Sequence, residues 1–121
     1  MEIIKDLTNI AEFKEYLFEK IDKISVHNIY NGFTFDNKPF SLSISAQINW
    51  SNLLLLPEGI FPITISCTDE TTYLLTYANR INFYLTAVSA KNGALQAGTT
   101  LKQTVLAATT IEELEEILIS L

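Results

Sequence analysis

Val26-His27-Asn28-Ile29-Tyr30-Asn31-Gly32-Phe33-Thr34-Phe35-Asp36-Asn37-Lys38-Pro39-Phe40 is the stretch in which the patterning of the chain changes. Upstream, apolar residues recur every three or four positions. From Val26 the period is two, with Val26, Asn28 and Tyr30 on one side and His27 and Ile29 on the other. Asn31-Gly32 follows, and Asn-Gly after alternating residues is a strong hairpin signal because both residues of a type I′ turn need positive φ. Phe33, Phe35 and Phe40 bracket a second turn at Asp36-Asn37-Lys38-Pro39. The stretch therefore reads as a small antiparallel meander.

Working outward, Ile10, Phe13, Leu17, Ile21 and Ile24 form one apolar stripe, which predicts a helix over residues 8–23 capped by Thr8 or Asn9. Tyr16 and Phe18 lie beside the stripe and widen it. On the other side of the meander, Ser43 caps a helix over 43–56 whose inner face is Ile44, Ile48, Leu55 and Trp50, ended by Pro57 and Gly59. Residues 61–67 alternate as a strand, Asp69-Glu70 makes a turn, and Thr72–Leu75 pairs back. Tyr77, Ile81, Tyr84, Leu85, Val88, Leu95, Leu101 and Val105 fit a helix over 76–107, about 48 Å long at 1.5 Å per residue. A break near Asn92-Gly93 or Gly98-Thr99 is the alternative, since glycine costs a helix about 1 kcal/mol relative to alanine. A last helix starts at Thr109 or Thr110, with Glu112 or Glu113 at capping-box spacing. Ile111, Leu114, Ile117 and Leu118 form its inner face. The expected class is α+β. An N-terminal helix precedes a small antiparallel sheet of three to five short strands, then a long C-terminal helix and a short terminal one, in a single domain over residues 1–121.

The size agrees with one domain: 121 residues and 13.6 kDa, with 48% hydrophobic residues to build a core. Charged residues make up only 18%, against a typical ~25%, and thirteen Thr, nine Asn and eight Ser take their place. Residues 39–101 carry just Glu58, Asp69, Glu70, Arg80 and Lys91. Such a segment is either well buried or presents a neutral surface for something else to cover. A net charge of −6 and a pI near 4.6 exclude the basic surface that nucleic-acid binding requires. No apolar run exceeds four residues, as in Leu53 to Leu56, far short of the ~20 residues that cross a bilayer, so no membrane association is expected. Charge at Glu2, Lys5 and Asp6 interrupts the N-terminal apolar residues, unlike a signal peptide, and the chain is expected to be made in the cytoplasm.

Residues capable of chemistry are sparse. His27 is the only histidine and has no Asp, Ser or Cys beside it in sequence. Cys67, the only cysteine, closes an apolar strand and reads as a small buried residue. Asp69-Glu70 is a pair of turn acids without further ligands at fixed spacing. Tyr30, Phe33, Phe35, Phe40 and Trp50 read as core rather than as a ligand platform. No phosphate loop, zinc-protease motif or nucleophile elbow occurs. No catalytic, cofactor-binding or metal residue is assigned, no cofactor is expected, and the chain reads as a non-enzyme.

Gly32-Phe33-Thr34-Phe35-Asp36-Asn37-Lys38-Pro39-Phe40-Ser41, continued by Ser45-Ala46-Gln47-Ile48-Asn49-Trp50, resembles an uncharacterised domain family of bacteriophage and prophage tail-fibre and tail-assembly proteins. The likeness extends to the ending, through Leu101-Lys102, Ala107-Ala108-Thr109-Thr110 and Glu112-Glu113-Leu114. It covers residues 31–118 and leaves the helical segment 1–25 outside. Cys67-Thr68 departs from it, standing where a Trp-Thr-like pair is expected. The matching motifs are packing and turn residues, so the resemblance carries over no site residue. What it implies is a setting: a structural or assembly protein of a phage tail, tail fibre or other virion part, made in the host cytoplasm and acting through protein contacts. A phage-encoded binding protein outside the virion, such as a tail-fibre chaperone or an inhibitor of a host protein, is the alternative. Ile81, Val88 and Leu95 repeat at seven residues, the spacing of a helix-pairing seam, so the expected partners are other phage structural proteins or a second copy in a dimer or trimer.

Overall fold

The computed structural model describes residues 7–121. Among them are four α-helices: α1 (Ile10–Tyr30), α2 (Ile44–Asn52), α3 (Arg80–Ala107) and α4 (Ile111–Ser120). Four short strands accompany them: β1 (Phe33–Phe35), β2 (Lys38–Phe40), β3 (Ile63–Ser66) and β4 (Thr72–Leu75). The class is α+β, with a helix first and the long helix late. The chain divides into two compact units, one of the described residues up to Val26 with Leu95–Leu121, the other of His27–Ala94.

The first unit is helical. The Asn9 side chain accepts the Glu12 N–H at 3.2 Å and starts α1. Phe13, Leu17 and Ile21 on α1, Val105 on α3, and Ala108 and Leu114 make one buried cluster, with Tyr16 and Phe18 packed at its side. At its edge the Lys14 ammonium donates to the Leu106 carbonyl at 3.0 Å, and Lys102 pairs with Asp22. Thr110 begins α4: its hydroxyl oxygen accepts the Glu113 N–H at 3.2 Å, and the Glu113 carboxylate accepts from the Thr109 and Thr110 hydroxyls. Of the two candidate capping pairs, Thr110 with Glu113 is the one formed.

The second unit is built around Phe83. Its ring meets Phe33 and Phe35 at 5.3 Å, Phe40 at 4.9 Å and Trp50 at 5.1 Å, all edge to face. Such contacts add about 0.5–1.5 kcal/mol each beyond the area they bury. β1 and β2 pair antiparallel with Phe33 opposite Phe40; β3 and β4 pair with Ile63 opposite Leu75. The Thr68 N–H donates to the Pro39 carbonyl at 3.0 Å and ties one hairpin to the other.

Several expectations are corrected. The alternation at 26–30 does not make a strand: α1 continues to Tyr30, and this unit turns Ile29 inward. Asn31-Gly32 is accordingly a helix end and not a hairpin turn. Gly32 alone takes the left-handed conformation, at φ 81°, and its N–H donates to the Ile29 carbonyl at 3.0 Å. The type I′-like turn lies one step on, at Asp36-Asn37, with φ of 50° and 61°. The strands are therefore fewer than a single sheet of three to five requires, and form two separate two-stranded pairs.

α2 keeps its Ser43 cap, whose hydroxyl accepts the Ala46 N–H at 3.2 Å, but its inner face is Ala46 and Trp50. Trp50 donates its indole N–H to the Ser41 carbonyl at 2.7 Å and packs against Phe40. Once this largest side chain faces inward, the opposite side of the helix is wet, leaving Ile44 at 67% and Ile48 at 56% exposure, while Leu55, beyond the helix end, is 82% exposed. Helical order ends at Asn52 in a 3-10 turn over Leu53–Leu55.

α3 starts at Arg80 and runs unbroken past Gly93 and Gly98, so the two-helix alternative falls. Its buried line in the second unit is Phe83 and Ala87, continued by the partly buried Ala90 and Ala94, where small residues let the helix lie close to the core. The bulky Ile81 and Leu85 point outward.

Candidate functional site

None of the residues with chemical potential converge. His27 lies on the exposed surface of α1. Cys67 is buried after β3, in the same core as Phe40 and Trp50. In the Asp69-Glu70 turn, Glu70 adopts φ 68°, and the Asp69 carboxylate accepts both the N–H and the hydroxyl of Thr71. Those bonds from Thr71 hold the Asp69 carboxyl below the usual range. The residues that would lend a cation further ligands are missing: among the described residues no three His, Cys, Asp or Glu cluster as a metal site would need. Phe33, Phe35, Phe40 and Trp50 are occupied with Phe83 in the core, while Tyr30 stands exposed.

The second unit has a cavity of about 100 Å³ between α2 and α3. Leu42, Trp50, Tyr84, Ala87 and Val88 give it apolar walls, and Gln47 and Lys91 stand at its polar side. Gln47 is committed, donating its amide to the Leu42 carbonyl at 2.8 Å. Lys91 makes no ion pair with any described residue. The volume is that of roughly three waters, or one branched aliphatic group.

Beside this cavity α3 presents its outer face. Ile81 is 47% and Leu85 52% exposed, and Val88 belongs to both face and cavity. The helix carries no charge between Arg80 and Lys91. In the sequence these residues look like core, because spacing identifies a stripe without saying which of two stripes is covered. The signal for the true inner line was weaker: the small residues Ala87, Ala90 and Ala94 following Phe83. Among the described residues no helix is long and apolar enough to cross a membrane.

No family model, curated protein or solved structure matches this chain.

Proposed function

We propose that this chain is a non-enzymatic structural or assembly protein of a bacteriophage, serving in a tail, tail fibre or other virion part through contacts with other phage proteins or with further copies of itself. The observation that carries the contact role is the outer face of α3. Two large aliphatic side chains stand half in water on a charge-free stretch of helix, the composition found at the centres of protein interfaces. The phage setting rests on the hairpin-to-α2 sequence Gly32–Trp50 and the ending Leu101–Leu114, which resemble tail-fibre and tail-assembly domains.

In this reading the protein works in the virion, needs no cofactor, and contacts neither nucleic acid nor membrane. Mass spectrometry of purified virions tests it: the expected result is the protein at stoichiometric copy number. Absence from virions of a phage that expresses it would give the reading up in favour of a chaperone or inhibitor that stays in the cell. Light scattering of the parent and Leu85→Asp tests the surface, with the variant expected to lose partners and keep its fold.

A further inference from the structure

The α2–α3 cavity has a counterpart on another element of the chain. Ile119 on α4 is 85% exposed, more than any other large apolar side chain among the described residues. It does not stand on a neutral surface. Glu112, Glu115 and Glu116 precede it by seven, four and three residues, so all three share its side of the helix, and all are exposed. α4 thus presents one branched aliphatic group set among carboxylates. The cavity is the complement: apolar walls, room for one branched aliphatic group, and at its edge the unpaired ammonium of Lys91.

We propose that Ile119 of one copy inserts into the α2–α3 cavity of a second copy, where Glu115 or Glu116 pairs with Lys91. This deepens the self-contact reading above and rests on it. Size and charge both select the occupant. Leu55 is almost as exposed, but it has one carboxylate within seven residues, Glu58, beyond the end of its helical turn, whereas Ile119 has three on its own side of α4. Each copy supplies one knob and one cavity.

Trp50 lines the cavity and is the only tryptophan, so its emission reports occupancy. The experiment combines sedimentation velocity with Trp50 fluorescence on the full chain, from low to high micromolar concentration. The parent is expected to grow with concentration while Trp50 emission shifts to the blue. Ile119→Glu, a change at an exposed position, should stay monomeric with constant emission. Lys91→Glu should weaken assembly at least tenfold, and adding Glu115→Lys and Glu116→Lys to it should restore part of that loss. Mixing the Ile119→Glu and Lys91→Glu chains should give a pair that stops at two copies, since one retains the cavity and the other the knob. A parent monomeric at high micromolar concentration overturns the docking while leaving the virion test standing. Assembly that survives Ile119→Glu but is lost in Leu85→Asp also overturns it, and assigns self-contact to the outer face of α3. Loss in Leu55→Glu with Ile119→Glu unaffected gives the cavity to the wrong knob and overturns it equally.

Discussion

Gly98 of α3 lies directly against the hydroxymethyl group of Ser25 on α1, with no space between them for a methyl group. The two helices of the first unit approach this closely because position 98 has no side chain. A methyl group there would displace only the Ser25 hydroxyl, the end of a short side chain that can rotate; the next contacts, Ser25 Cβ at 3.4 Å and Ile21 Cγ2 at 3.8 Å, are tolerable. The alanine helix preference, about 1 kcal/mol over glycine, offsets that adjustment. Gly98→Ala should therefore be near neutral in urea unfolding. Gly98→Leu cannot be accommodated by one rotation and should cost about 1–3 kcal/mol, as overpacked sites do. Equal effects from both would show that the helices do not meet at this residue.

Gly93 provides the opposite case on the same helix. A Cβ built there has nothing within 4 Å, and the residue is not in the left-handed region. Gly93→Ala should raise stability by up to ~1 kcal/mol, read as a higher urea midpoint with unchanged slope. A loss of stability would mean that the helix is interrupted at Asn92-Gly93.

The contrast between these glycines shows what the sequence could carry. Local chemistry was readable: the Ser43 cap, the Thr110–Glu113 pair and strand Thr72–Leu75 all depend on neighbours within a few residues. The apolar periods were readable too, as α1 shows in Phe13, Leu17 and Ile21. What a period cannot state is which face a partner covers. On α2 the choice was made by one indole that satisfies its N–H at Ser41 while packing on Phe40, and Ile44 went outward as a result. On α3 the small residues after Phe83 mark the covered side, a weaker signal than the bulky stripe. At 26–30 two periods competed, and the continuing α1 helix prevailed, with Ile29 held in the core by tertiary contacts. For the same reason the α2–α3 cavity was not legible: the apolar stripes contain its lining residues Trp50, Tyr84 and Val88, but mix them with Ile44, Ile81 and Leu85, which face outward.

Gly32 and Asn31 separate a helix end from a hairpin turn. At Gly32 the backbone is left-handed, and a Cβ would run into the carbonyl of Phe40, which is main chain and has nowhere to go. Gly32→Val should therefore destabilise by more than ~1 kcal/mol. Asn31 is not left-handed, so Asn31→Ala should change stability by less than about 0.5 kcal/mol. Asn37, at φ 61°, is in the real two-residue turn, and Asn37→Ala should cost about 1 kcal/mol. A larger loss for Asn31→Ala than for Asn37→Ala in thermal unfolding would return the turn to its expected place.

Tyr73 on β4 donates its hydroxyl to Asp36 Oδ2 at 2.9 Å, joining the Asp36-Asn37 turn to the second hairpin. Desolvation first, and then the bond and negative charge of Asp36, push the Tyr73 phenol above the ordinary tyrosine value. A raised pKa on an acid means that the fold favours the neutral form. The stabilisation is complete below the unfolded-state pKa and is lost as pH rises through the folded-state value. Tyr73→Phe should accordingly cost about 0.5–1.5 kcal/mol at neutral pH, the usual worth of one hydrogen bond. The gap between parent and variant should close as pH rises above the ordinary tyrosine range. Asp36→Asn should move the Tyr73 titration, followed by phenolate absorbance, downward toward the free value without reaching it, because the desolvation share remains. A gap that widens with alkaline pH, or a titration unmoved by Asp36→Asn, would break the link between these two side chains.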